Sequence, residues 1–151
     1  MSRQDARIRE LVYALLVQGT PVHFLPRGPS MNPLMRDGDV VCVRPTHPAV
    51  LRAGYIVLCR QHNRLTLHRL IRHDAAGERC WIVADAAIRG IDCIPEADVI
   101  GLAETVRHGH HQRRLDTRYA RWKGLARYYA RPLRRMLICA YSCWKRKTIA
   151  P

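Results

Sequence analysis

The chain has 151 residues, a mass of 17.4 kDa and a formal net charge of +14 at pH 7. That is the size of one small domain, long enough to bury its own core without disulfides or metals. With 48% hydrophobic and 25% charged residues, it is neither a disordered chain nor a bundle of membrane helices. The charge is unevenly placed. Residues 1–106 hold 13 Arg, no Lys and 11 acids, net +2, while residues 107–151 hold 10 Arg, 3 Lys and one acid, net +12. A near-neutral body and a basic tail 107–151 follow, so whole-chain basicity alone does not point to nucleic acid.

The first expected element is a helix over Asp5–Gln18, residues 1–20 forming an amphipathic N-terminal segment. Ile8, Leu11, Val12, Leu15 and Leu16 fall on one stripe, with Asp5 as N-cap and Gly19 as C′ residue. The apolar run Leu11–Val17 is seven residues long. It is too short to span a bilayer, which takes about 20, and the acids Asp5 and Glu10 do not suit a secretory signal. The expected location is the cytoplasm, where the six cysteines stay reduced.

From Pro21 the texture changes to strands and turns. Expected strands are Val22–Leu25, Val40–Arg44, Tyr55–Arg60, Leu65–Arg72, Arg79–Ala84 and Val99–Val106, separated by turn signals such as Arg36-Asp37-Gly38-Asp39 and Arg52-Ala53-Gly54. Six short strands with tight turns predict a mainly β, compact antiparallel domain over residues 21–106. His108-Gly109-His110-His111 reads as a solvated loop, and no metal or other cofactor is assigned. A basic amphipathic helical segment follows. Trp122, Leu125, Tyr129, Leu133, Met136, Ala140 and Trp144 recur at steps of three and four, with a break expected at Pro132. Such a stripe suits either packing on the β domain or contact with a membrane surface. Cys139 and Cys143, four apart, read as small apolar residues of one helix face.

The stretch Arg27-Gly28-Pro29-Ser30-Met31-Asn32-Pro33-Leu34-Met35-Arg36-Asp37-Gly38-Asp39-Val40-Val41 carries the chemistry. Gly28 and Pro29 turn the chain and set Ser30 on bent, accessible backbone. A serine needs a base before it attacks a carbonyl. The Gly-x-Ser-Met-x-Pro string, followed by Gly-Asp and a valine-rich strand, resembles the nucleophile box of the signal peptidase I family and of the related self-cleaving repressor peptidases. Gly54-Tyr55-Ile56-Val57 resembles a second box of that family, with Tyr55 where the family often has Asp. Leu67-His68-Arg69-Leu70-Ile71 resembles its His-Arg-Val-Ile box. Val83-Ala84-Asp85-Ala86 resembles its Gly-Asp box with Ala84 in place of Gly, and Val99-Ile100-Gly101 its closing strand.

This resemblance, over about residues 21–106, implies a serine peptidase with Ser30 as nucleophile and His68 as base. No lysine lies in the body, so a Ser/Lys pair there is excluded, and His68 matches the Ser/His branch. A neutral imidazole is a competent base near pH 7. Position on a strand, between Thr66 and Leu70 on one face, gives it a rigid mount. The resemblance offers Asp92 and Asp85 as partners of His68. Asp92 is favoured to orient the ring, and Asp85 takes a structural or supporting role. A hydroxyl donor stands in many family members where this chain has Gly28. The oxyanion site around Gly28, Pro29 and Met31 then rests on backbone N–H groups such as that of Ser30. Loss of one such donor slows a peptidase by about 10²–10³.

The function implied is a serine endopeptidase that removes a leader or propeptide from a cytosolic precursor. The basic tail would meet the inner membrane face or an acidic partner. The rival readings are a nucleic-acid-binding or regulatory protein, drawing on the aromatic and basic tail, and an inactive peptidase fold used as a binding module.

Overall fold

The computed structural model describes residues 3–61, 64–87 and 90–132. The expected tail positions from Leu133 to Trp144, with Cys139 and Cys143, lie outside the described residues. Helix α1 spans Arg3–Val17. It ends where Gly19 N–H donates to the Leu16 carbonyl (3.1 Å) and Thr20 N–H to the Leu15 carbonyl (2.9 Å), a paired closure that a glycine at C′ permits. Only the C-terminal half of the expected stripe is used. Leu16 is 3% exposed and Val12 and Leu15 lean on the core, while Ile8 and Leu11 remain 51% and 59% exposed.

Eight strands follow: β1 Val22–Phe24, β2 Val40–Arg44, β3 Ile56–Gln61, β4 Arg64–Asp74, β5 Arg79–Val83, β6 Asp92–Pro95, β7 Val99–His108 and β8 His111–Arg114. They form one antiparallel sheet in the order β1-β2-β7-β3-β4-β5-β6, with β8 also paired to β7. Six strands lie where the apolar runs and the turn signals between them put them; β6 and β8 are additional. The histidine segment is not a free loop. His108 pairs with His111 across a hairpin turn, and the expected boundary at residue 106 falls inside β7. Ladder shifts at Cys42/Val43, Leu58/Cys59 and Leu70/Arg72 bend the sheet, as bulges do.

The bent sheet buries both faces. On one lie Ile56, Leu58, Leu67, Val41, Val43 and Val106 with Met31 and Met35. On the other lie Val57, Cys59, Leu70, Ile82, Ile94 and Leu102. Burial of consecutive residues Ile56–Cys59 on alternate sides explains why β3 reads as a continuous apolar run.

Helix α2 spans Arg118–Tyr129, capped by Thr117, whose hydroxyl accepts from Ala120 N–H at 3.1 Å. It lies against the sheet through Gly124 and Leu125, both buried, while Tyr119, Trp122 and Tyr129 point to solvent at 74%, 71% and 67% exposure. The expected stripe therefore splits: Leu125 packs, and Trp122 and Tyr129 do not. The approach is close. A Cβ on Gly124 would come within 2.1 Å of the Arg69 guanidinium, and one on Gly54 would come within 2.9 Å of Arg121. Arg121 donates to the Ala53 carbonyl and lies over the Tyr55 ring at 4.6 Å.

Gly124→Ala separates packing from helix propensity. Propensity alone would stabilise α2 by about 1 kcal/mol. The overlap with Arg69 should instead destabilise the protein by about 1–3 kcal/mol, read by urea unfolding beside the exposed Ala126→Ser.

Candidate active site

Ser30 sits in a short 3-10 turn, Pro29–Met31, entered through Gly28 at φ 92°. That left-handed backbone strains any residue with a Cβ. The turn presents Ser30 to solvent and drives Met31 into the core, 3% exposed, with Met35 at 1%. Two buried methionines thus anchor the loop just after its exposed tip. The loop is also tied across its ends. Asp37 accepts from Gly28 N–H at 2.8 Å, and Asp39 accepts from Arg36 N–H at 2.9 Å. Asp39 is itself buried and bonded to His108 Nδ1 at 2.5 Å. Burial pushes the Asp39 carboxyl up, but the His108 bond, the Arg36 amide and the charges of both outweigh it and leave it below the ordinary value.

The second wall is β4. Leu65, Thr66 and Leu67 line a cavity of about 90 Å³ together with Ser30, Met31 and Phe24. His68 follows Leu67 on the same strand, opposite Val57 of β3. Its Nδ1 is buried and has no hydrogen-bond partner among the described residues. Burial lowers the His68 pKa below its ordinary 6.5, with the charge of Asp92, and after it that of Asp85, pulling the other way. Asp92 lies on β6, opposite Ile82, which is opposite Leu70 on the His68 side of β4. It is exposed and acts on His68 through charge.

Asp85 is committed elsewhere. Its two oxygens accept from Arg69 Nε at 2.7 Å and Nη2 at 2.5 Å, both side chains being almost fully buried. The next residue, Ala86, donates its N–H to the Ser30 carbonyl at 2.9 Å. The Asp85-Ala86 segment thereby joins the Ser30 loop to β4, since Arg69 adjoins His68.

A wider cavity of about 720 Å³ opens beside this junction, lined by Gly28, Pro29, Arg36, Asp37, Ala86 and, from α2, Arg127. Arg69, Asp37, Ala86 and Arg127 carry no role in the sequence reading. Arg69 alone left a signal, an arginine beside the apolar Leu70-Ile71 pair and two residues from Leu67, which demands a carboxylate if it is buried. Gly28 offers no side-chain donor, and its N–H is spent on Asp37.

Over residues 9–103 the chain matches the family model described as Peptidase S24-like. The chain belongs to the Peptidase S24-like family. Its antiparallel sheet with flanking helices is consistent with that family's β domain, while β8 and α2 lie beyond the matched segment. A comparison with individually curated proteins finds no match. Among the described residues no helix is long and apolar enough to cross a membrane, and no cluster of three metal-binding side chains occurs. The cysteines Cys42, Cys59, Cys80 and Cys93 are free. Burial raises the Cys59 thiol to about 12, which leaves it unreactive.

The His68 titration tests this electrostatic picture. Its NMR midpoint should fall below 6.5, and Asp92→Asn should lower it further by removing a charge that favours the imidazolium. Because the folded value is the lower one, stability from this group is present above pH 6.5. It is lost as the pH falls toward the folded value, where the unfolded chain binds the proton more readily. A midpoint raised above 6.5 would contradict the assignment.

Proposed function

We propose that this Peptidase S24-like protein is an active serine endopeptidase of the Ser/His kind. The observation that carries the reading is the exposed Ser30 at the tip of a loop anchored by buried methionines. That loop shares a cavity with Leu65, Thr66 and Leu67 of the strand on which the half-buried His68, its pKa lowered so that the ring is neutral at pH 7, comes next. Ser30 Oγ attacks the scissile carbonyl while His68 takes its proton. His68 then returns that proton to the leaving amine, and water, activated by the same imidazole, hydrolyses the acyl-enzyme. Asp92 supplies a charge that favours the imidazolium formed in each step. Asp85 holds Arg69 and so positions β4 against the loop. The developing oxyanion is met by backbone, the Ser30 N–H, which makes for a slow enzyme.

The cavity of about 90 Å³ beside Ser30, walled by Phe24, Met31, Met35 and Leu67, suits a small apolar side chain next to the cleaved bond. The substrate is a leader or propeptide of a cytosolic precursor. The basic C-terminal region brings the enzyme to an acidic partner or to the inner membrane face. A second reading, nucleic-acid binding, has in its favour the exposed Tyr119, Trp122 and Tyr129 among Arg118, Lys123 and Arg127. Salt-dependent oligonucleotide affinity, lost in Trp122→Ala, would establish it.

Cleavage of a proteome-derived peptide mixture, read by mass spectrometry, tests the peptidase. Ser30→Ala and His68→Ala should each abolish the new termini, a loss of at least about 10³-fold. With a lowered His68 pKa, the acid limb of kcat/KM should lie below pH 6.5. Identical peptide profiles for all three proteins would contradict the reading.

A further inference from the structure

Arg127 reaches the cavity of about 720 Å³ from α2, facing Gly28, Pro29 and Ala86 across it. This cavity and the smaller one beside Ser30 share Gly28 and Arg36, so a peptide lying over Ser30 extends into both. Three charged groups line the larger cavity, Arg36, Asp37 and Arg127. Asp37 is occupied in closing the loop at Gly28, and the charge of Arg36 is felt by the buried Asp39. Among the described residues Arg127 has no carboxylate partner within ion-pair distance.

The helix that carries Arg127 is firmly seated. Gly124 lies against Arg69, Arg121 holds the Ala53 carbonyl, and Arg131 donates to the Ala84 carbonyl at 2.5 Å. A free guanidinium on a fixed wall of a peptide-sized cleft is a recognition element, because little ordering remains to be done on binding.

We propose that Arg127 is a specificity residue that selects an acidic side chain at one fixed position flanking the scissile bond. The proposal rests on Ser30 being the nucleophile. It extends that reading by assigning the substrate class to a helix outside the family-matched segment.

Peptides that carry Glu, Gln or Lys at each position around the bond cleaved in the mixture experiment provide the test. Wild type should prefer Glu over Lys at one position by roughly tenfold in kcat/KM, an attractive and a repulsive pair each counting a few-fold. The preference should shrink in 1 M NaCl. Arg127→Glu should invert it toward Lys, and Arg127→Gln should erase it. The same peptides titrated against Ser30→Ala protein should show the same order of affinities without turnover. An unchanged Glu-to-Lys ratio in both Arg127 variants, with cleavage still dependent on Ser30, would overturn the proposal alone. Cleavage that survives Ser30→Ala would overturn the reading beneath it, and the binding titration would then decide the fate of Arg127: equal affinity for Glu and Lys peptides refutes it.

Discussion

Arg69 is 3% exposed, and its donors go to different parts of the chain. Nε and Nη2 grip Asp85, which follows β5, and Nη1 donates to the Gly54 carbonyl at 2.7 Å. A buried guanidinium is costly unless its charge is matched and its protons are placed. This one is matched by a bidentate carboxylate, the geometry that suits it best. Its face rests on Gly124 of α2. From this one group the active-site frame extends. Asp85 precedes Ala86, which holds the Ser30 carbonyl, and Arg69 follows His68 along β4. The Ser30 loop, strand β4 and helix α2 therefore meet around a single ion pair.

Two of the residues that stand out of pattern in the sequence motifs, Tyr55 and Ala84, meet the C-terminal segment that holds α2 and Arg131. Tyr55 stands where an acid is common and carries the Arg121 guanidinium on its ring. Ala84 stands in place of a glycine and gives its carbonyl to Arg131. Gly54, at φ 93°, leaves no room for a Cβ beneath Arg121. These box residues and the C-terminal helix form one packed unit, which gives a physical reason for box residues that are otherwise out of pattern.

Much of this was legible in the sequence. Strand β2 lies where the valine-rich run places it, and the Gly-Pro-Ser-Met turn behaves as its residues require, with the serine out and the methionine in. Strand β8 was not legible, because His111-Gln112-Arg113-Arg114 is exposed throughout and has no apolar alternation to read. Strand β6 is short, carries Pro95 and buries only Ile94. The docked face of α2 pairs Leu125 with a glycine, Gly124, and periodicity extended it wrongly to the exposed Trp122 and Tyr129. The roles of Arg69 and Arg127 depend on partners distant in sequence, which spacing within a motif does not reveal. The same holds for Asp85, whose two oxygens are both taken by Arg69, sixteen residues earlier.

A double-mutant cycle shows whether the Arg69–Asp85 pair sets this frame. Urea unfolding of Arg69→Leu, Asp85→Leu and the double variant would give the stabilities. Each single change strands a buried charge and should cost about 3–5 kcal/mol, while the double change should recover much of that loss. Single changes that each cost under about 1 kcal/mol, and simply add in the double variant, would contradict it.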